Sequence, residues 1–472
     1  MKKYSIWEDE IEKTGKKLNK DLNVDVLIIG GGITGLSTAY HLNKSNLKVC
    51  VVERNNIGMG VTCKTTGKLT YLQELIYRKI KPIEKSKLYY ESQKEAIKIV
   101  KEIIKDNNIE CDYENVSSYV YSDLDKEINK IDEEYKILKD FGVNIKRVNK
   151  LPNGISFKHG IYVEDTAVFH SIKYLNGLKK VINCDIYENT NILSIEKNEN
   201  GYLCKTDKYK IITKKIVLAT HYPYFLLPYF FPLKAYLEKS YITAFEIDKV
   251  FNFSSITSSN PTESIRYHNN KYQIYLTNSH NLSIKNNDYD NFKELIDKNP
   301  SYIWSNKDIM TVDSLPYIGY IDDNLLIGTG YNTWGMTNGS IAGKILSDLV
   351  LNKENKYSEL FNPKRNFGLS KYVSYPIIIG SNIKSYIGSK INKNKSWYQN
   401  VLFKKIDGES VGIYIDENNK KHIVYNKCPH LKCGLIFNEV EKTWDCPCHG
   451  SRFDIDGNCI EGPSNYDIRY KH

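Results

Sequence analysis

No stretch of about 18 or more apolar residues occurs in the 472-residue chain, which excludes an apolar helix that spans a membrane. Met1 to Lys20 carries acidic residues throughout and has no apolar core of signal-peptide length, so a cytoplasmic location is expected. The segment from Tyr222 to Leu233 is aromatic and apolar, yet Pro223, Pro228 and Pro232 interrupt it, and it reads as a domain crossing or a pocket wall. Blocks of one charge are also missing. The net charge is +10, but the lysines run from Lys2 to Lys471 interleaved with acidic residues, so no nucleic-acid partner is expected. With 41% hydrophobic and 26% charged residues the composition is that of a folded protein, neither disordered nor collagen-like. The length implies two or three domains.

Cysteine is distributed unevenly. None of the 10 lies between Cys204 and Cys428, whereas Cys428, Cys433, Cys446, Cys448 and Cys459 fall within the last 45 residues. In a cytoplasmic chain such clustering points to metal before it points to a disulfide scaffold.

The N-terminal region carries a nucleotide signature. Val24 to Ile29 is a short β-branched apolar run, as expected of a buried parallel strand. Gly30-Gly31-Gly32-Ile33-Thr34-Gly35 follows as G-x-G-x-x-G, and Leu36 to Leu42 has helical composition. Gly30 permits the tight turn, Gly32 the approach of a pyrophosphate, and Gly35 close packing of helix on strand. A second strand, Lys48 to Val52, ends at Glu53, whose carboxylate is placed to accept hydrogen bonds from ribose hydroxyls.

The continuation from Glu53-Arg54 through Gly58-Met59-Gly60 to Thr65-Thr66-Gly67-Lys68 resembles the amino-acid oxidase family of FAD enzymes, which includes glycine and sarcosine oxidases. That resemblance implies that the polar stretch wraps FAD. Asn189-Thr190-Asn191-Ile192 looks like the family's strand over the adenine, and Ile216 to Thr220 like the strand returning to the nucleotide domain. Asp313 to Gly319, Ile327 to Gly330, and Gly335-Met336-Thr337 are similar to the closing motif beside the flavin ring. FAD is therefore favoured over NAD. Some family members tether the flavin through a cysteine near the closing motif, and the cysteine-free interval argues against such a tether. Arg266 is a candidate carboxylate clamp, with a solvated surface arginine as the more ordinary reading. His221 is expected to make a structural hydrogen bond near the cofactor, and His41 to be a packing or surface residue.

In the tail, Cys428-Pro429-His430 pairs with Cys446-Pro447-Cys448-His449-Gly450-Ser451. Two Cys and two His also make a zinc site, but the usual spacing differs. The arrangement resembles the Rieske family, in which two thiolates and two imidazoles hold a 2Fe-2S cluster. By position the resemblance makes Cys428, His430, Cys446 and His449 the ligands, with the histidine edges exposed as an electron doorway. It places Cys433 and Cys448 where high-potential members have a disulfide, and makes Ser451 a donor to a bridging sulfide. Phe453 stands where those members have tyrosine, so the potential is expected within about −150 to +300 mV but below the top of that range.

The expected fold is an α/β Rossmann-like FAD-binding domain with an inserted α+β substrate domain and a small all-β Rieske domain. The oxidoreductase would occupy 1–351, with nucleotide-binding segments at about 22–74, 152–221 and 305–351 and substrate segments at about 75–151 and 222–304. A linker at 352–395 and the Rieske domain at 396–472 would follow. A flavin accepts two electrons and the cluster one at a time, which suits an amine or amino-acid dehydrogenase that passes electrons singly to a separate acceptor. No catalytic base is identifiable. A second glycine-rich unit, needed by an NADH-fed reductase, is absent, as is the His-x4-His spacing of Rieske oxygenases. A redox sensor or electron-transfer protein is the alternative.

Overall fold

The computed structural model describes residues 1–222, 234–281, 288–365, 400–438 and 441–471. Most of the Tyr222 to Leu233 segment and the greater part of the expected linker lie outside them.

The first sheet is built on local hydrophobicity. The apolar strand Leu22–Ile29 is buried on both faces and pairs in parallel with Val49–Val52 on one side and Lys210–Leu218 on the other. Asp185–Tyr187 and Leu325–Thr329 extend the parallel set, and Tyr317–Asp322 adds an antiparallel edge. Helices Ile33–Leu42 and Gly335–Val350 pack against each other on this sheet, leaving the carboxyl ends of its central strands open beside their amino termini. This is the doubly wound arrangement in which ligands bind at the strand ends.

The second sheet has nine strands, running from Tyr302–Thr311 at one edge through Ala235–Glu246 to Lys68–Leu69 at the other. All pairs are antiparallel except the parallel contact between Phe253–Thr257 and Glu114–Ser122. Ser156–Val168 and Tyr302–Thr311 belong to this sheet, although the sequence boundaries put the first in a nucleotide segment and divide the second between the substrate and nucleotide segments at residue 305. Their alternating polar residues gave no hint of which sheet would claim them, because strand pairing is a long-range choice. Asn189 to Ile192, expected as a strand, is a loop that follows Asp185–Tyr187.

Residues 352–365, expected to begin the linker, pack on the first unit. Tyr357, Leu360 and Phe361 are buried, and Arg365 grips Asp313 through two nitrogens at 2.7 and 2.8 Å. The C-terminal unit is all β, with a three-stranded antiparallel sheet (Val401–Ile406, Glu409–Ile415, Lys421–Tyr425) and a four-stranded one from Ile436–Asn438 to Cys459–Glu461. Trp444, Phe437, Tyr414 and Phe453 form its core. No helix among the described residues is long and apolar enough to cross a membrane.

Candidate cofactor cleft and cluster loops

The glycine turn opens a cleft at the end of strand Leu22–Ile29. A Cβ on Gly35 would sit 1.9 Å from the Gly30 carbonyl oxygen, so only glycine lets the helix start this close to the turn. Glu53 accepts the Gly31 amide at 2.7 Å and the Asn55 amide at 2.8 Å, one on each oxygen. Burial pushes its carboxyl above the usual range, while these two amides oppose the shift.

Of the expected residues, Gly30, Gly32, Ile33, Thr34, Glu53, Arg54, Thr65, Ile192, Gly335 and Met336 line this cleft. The others do not. Thr66 and Lys68 line an adjoining pocket, where the Lys68 ammonium donates to the Ser255 carbonyl at 2.8 Å and to the Ser264 hydroxyl. Burial, with the Arg266 charge adding to it, lowers Lys68 to about 7. Gly35 packs behind the turn, Gly330 against Thr311 and Tyr317, and Thr337 donates to the Trp334 carbonyl and bonds Gln73. Gly67 has a φ of +70° and faces the Arg266 guanidinium, a left-handed approach that favours glycine.

Arg266 is not a surface residue. It is 1% exposed, and one of its nitrogens donates to the carbonyls of Thr66, Gly67 and Phe169 at 2.9 to 3.0 Å. It therefore shapes the loop that wraps the cleft and is committed to backbone. His221 lines the cleft and its Nε2 bonds the Lys307 carbonyl at 2.9 Å, a structural bond beside the site. His41 is half-buried in its helix.

Two short loops form the other site, and they share one backbone plan. In the first, Cys428 N–H donates to the Cys433 carbonyl and Lys432 N–H to the Cys428 carbonyl, both at 2.8 Å. In the second, Cys446 N–H donates to the Ser451 carbonyl at 2.8 Å and Gly450 N–H to the Cys446 carbonyl at 3.0 Å. Lys432 and Gly450, each four residues after its cysteine, have φ of 59° and 78°. The Cys433–Cys448 disulfide joins the loops with a Cα separation of 6.7 Å. Both of its cysteines are buried. Cys428 and Cys446 are both buried, and the His430 and His449 rings stand edge to face, 5.1 Å apart.

Comparison with known proteins gives these sites a family. Residues 25–349 match the family described as FAD dependent oxidoreductase (DAO), and 391–470 match the Rieske [2Fe-2S] domain. The chain belongs to the DAO family of FAD-dependent oxidoreductases. It carries a C-terminal Rieske domain. YhfW of Bacillus subtilis (strain 168), whose name describes a Rieske 2Fe-2S iron-sulfur protein, is 31% identical over 476 residues, covering 95% of this chain and 93% of its own. Gamma-glutamylputrescine oxidoreductase of Escherichia coli (strain K12) is 21% identical over 376 residues, covering 73% of this chain and 88% of that one. Glycine oxidase from Geobacillus kaustophilus has the same fold, with a TM-score of 0.61 at 16% identity over 74% of this chain and 100% of its own.

The oxidoreductase thus uses FAD and a 2Fe-2S cluster, and its residues fit both. The cleft has the strand-turn-helix cradle for a pyrophosphate. In the Rieske domain both ring nitrogens of His430 and the Nδ1 of His449 are buried without a hydrogen-bond partner. Such orphaned nitrogens beside two buried thiols suit metal ligation.

The Rieske domain closes the flavin cleft. Ile460, Glu461, Gly462 and Asn465 complete its lining, a contribution that no feature of the sequence signalled. Arg54 donates to the Ser464 carbonyl at 2.9 Å and to the Cys459 sulfur at 3.1 Å, so this lining residue is tied to the Rieske domain. Lys64 pairs with Glu461 at 3.3 Å, and Lys307 donates to the Gly450 carbonyl at 2.7 Å. Ser305 donates to Glu441 at 2.8 Å. Arg452, inside the Rieske domain, holds Glu441 at 2.8 Å and Asp445 at 3.1 Å. These charges are paired, as buried charges must be. His449 is only 8% exposed, against the expectation that both histidine edges are open. Tyr222 of the flavin unit covers it, and His430 keeps the more open edge.

Proposed function

We propose that this oxidoreductase is an amine or amino-acid dehydrogenase that delivers electrons through its Rieske cluster to a separate one-electron acceptor. Bound FAD supplies hydride acceptance from the carbon beside nitrogen, and the cluster supplies one-electron transfer. Gly30, Gly32, Ile33, Thr34 and Glu53 would hold the nucleotide half of FAD. Thr65, Gly335 and Met336 would flank its ring. Cys428, Cys446, His430 and His449 would ligate the cluster.

The observation that carries this reading is the continuity of the two sites. Ile460, Glu461, Gly462 and Asn465 wall the flavin cleft, and His449 lies against Tyr222, itself a cleft residue. The protein thereby holds the two sites next to one another. Relatives named for glycine and gamma-glutamylputrescine oxidation support a substrate carrying a C–N bond. His430, the less buried of the two histidines, marks the side from which an acceptor would draw electrons.

Anaerobic stopped-flow mixing of holoprotein with a panel of amines and amino acids tests the proposal, with EPR of the frozen product reporting the cluster. Bleaching of the flavin followed by a reduced-cluster signal is expected. Failure of every candidate to bleach it would reject the dehydrogenase reading and favour a redox sensor.

A further inference from the structure

Arg54 follows Glu53 in the cofactor cradle and lines the flavin cleft, yet its guanidinium is directed at the Rieske domain. Its Nη1 donates to the Ser464 carbonyl at 2.9 Å and to the Cys459 sulfur at 3.1 Å. The Cys459 thiol donates to the same Ser464 carbonyl at 3.2 Å. A Cβ on Gly462 would come within 3.2 Å of Arg54 Nη2, so the turn before Ser464 lies close against the guanidinium. Ser464 is 1% exposed, and its own hydroxyl is committed to the turn, donating to the Tyr466 carbonyl at 2.9 Å and accepting the Tyr466 amide at 3.3 Å.

The Ser464 N–H donates to the Ser451 hydroxyl oxygen at 3.0 Å. Ser451 stands two residues beyond His449 on the second cluster loop, where its carbonyl accepts the Cys446 N–H at 2.8 Å, and it is fully buried. Hydrogen bonds therefore run from a cleft residue, through Ser464, to a buried hydroxyl beside the cluster ligands.

A serine hydroxyl carries one hydrogen and two acceptor lone pairs. With the Ser464 amide on one lone pair, the hydroxyl keeps its hydrogen for another acceptor, and the acceptors that a bound cluster brings to this loop are its sulfurs. A donor to sulfur stabilises the reduced cluster and raises its potential. The effect depends on where the hydrogen points, and an untethered hydroxyl rotates. Ser464 removes that freedom only while it is itself fixed, and the bonds to its carbonyl come from Arg54 and Cys459. Arginine suits this task, because its donors form a rigid, permanently charged fork that lysine does not reproduce. Lys307 also reaches the loop, but at the Gly450 carbonyl, and so leaves the hydroxyl alone.

We propose that Arg54 is a positioning residue for the cluster. Through Ser464 it orients the Ser451 hydroxyl toward a cluster sulfur, and so holds the potential above the value it would take with that hydroxyl untethered. A residue of the flavin cleft thereby sets a property of the second cofactor. The inference rests on the cluster ligation proposed above.

Protein-film voltammetry of the full-length holoprotein tests it, in a cycle of Arg54→Lys, Ser451→Ala and the double variant. Arg54→Lys keeps the positive charge and loses the fork, so a lower midpoint potential in it reports positioning and not charge. The shift should be downward and no larger than that of Ser451→Ala, and the double variant should match Ser451→Ala alone. Arg54→Met, which loses charge and bond together, should fall at least as far as Arg54→Lys. A wild-type potential in Arg54→Lys would overturn the proposal, as would an upward shift or a shift that persists in full when Ser451 is alanine. Wild-type protein stripped of FAD is the reference for any variant that fails to retain flavin. Cys459→Ala removes the other bond to the Ser464 carbonyl without touching the cradle, and should lower the potential even where the Arg54 variants fail to fold; no shift there counts against the proposal. EPR of the reduced wild type keeps the two readings apart. Absence of a histidine-ligated signal refutes the ligation, whereas a normal signal with unmoved potentials refutes only the role of Arg54.

Discussion

Tyr222 and His449 meet across the boundary between the two units with their ring centroids 5.9 Å apart. Tyr222 belongs to the wall of the flavin cleft and His449 to the cluster loops, so the contact joins the two redox sites within one chain. His449 is thereby the inner face of the proposed cluster and His430 the outer one.

Lys307 pins this arrangement through the Gly450 carbonyl and lies 3.9 Å from Glu461. Lys307→Met leaves that carbonyl and carboxylate under-satisfied and loosens the docking. Flash photoreduction of the flavin should then be followed by cluster reduction at least about tenfold more slowly, and amide exchange should rise across residues 459–465. An unchanged transfer rate would show that docking does not control the step.

Arg266→Met should destabilise the flavin unit by roughly 3 kcal/mol, because it leaves buried carbonyls of Thr66, Gly67 and Phe169 without donors. The loss should appear as faster FAD release, since Thr65 on the same loop lines the cleft. Chemical denaturation and flavin fluorescence measure both. Retention of flavin at wild-type strength would mean that the loop keeps its shape unaided.

Phe453 is fully buried in the Rieske core with Cys428 and Cys446. Phe453→Tyr adds a hydroxyl in the neighbourhood of the cluster sulfurs. A donor to sulfur stabilises the reduced state, so the midpoint potential should rise. The extra atom should also cost about 1 kcal/mol of packing. Protein-film voltammetry decides the first point, and a potential that stays put or falls contradicts it.

Asp308 gives the flavin unit a pH dependence. Burial, followed by the charges of Glu238 and Glu461, raises its pKa from 3.8 to about 7. The folded chain therefore keeps a proton that the unfolded chain has released, and stability falls as pH rises between about 4 and 7. Asp308→Asn removes the penalty. Its melting temperature should gain on the wild type through that window and hold a constant lead above it, equivalent to about 4 kcal/mol. A lead that shrinks as pH rises would contradict the sign.

Local pattern made much of this legible. The turn at Gly30 to Gly35 is written in consecutive residues because backbone sterics at a strand-helix junction act over a few positions. The cluster loops were legible for the same reason, since a metal needs its donors on short, closely spaced turns.

Other roles depend on what packs nearby. Lys68 matched the flavin-wrapping stretch yet turns into the next pocket, because β-strand alternation and the Ser255 and Ser264 oxygens decide where its ammonium goes. Arg54 lines the cleft but is anchored to Ser464, 410 residues away. The sequence alone determined which cofactors this protein is equipped to hold and which two loops carry the Cys and His pairs proposed to grip the cluster. Only the tertiary structure decided that the Rieske domain walls the flavin cleft and that Glu238 and Asp308 stand side by side, because strand register and domain docking are set by contacts between residues far apart in the chain.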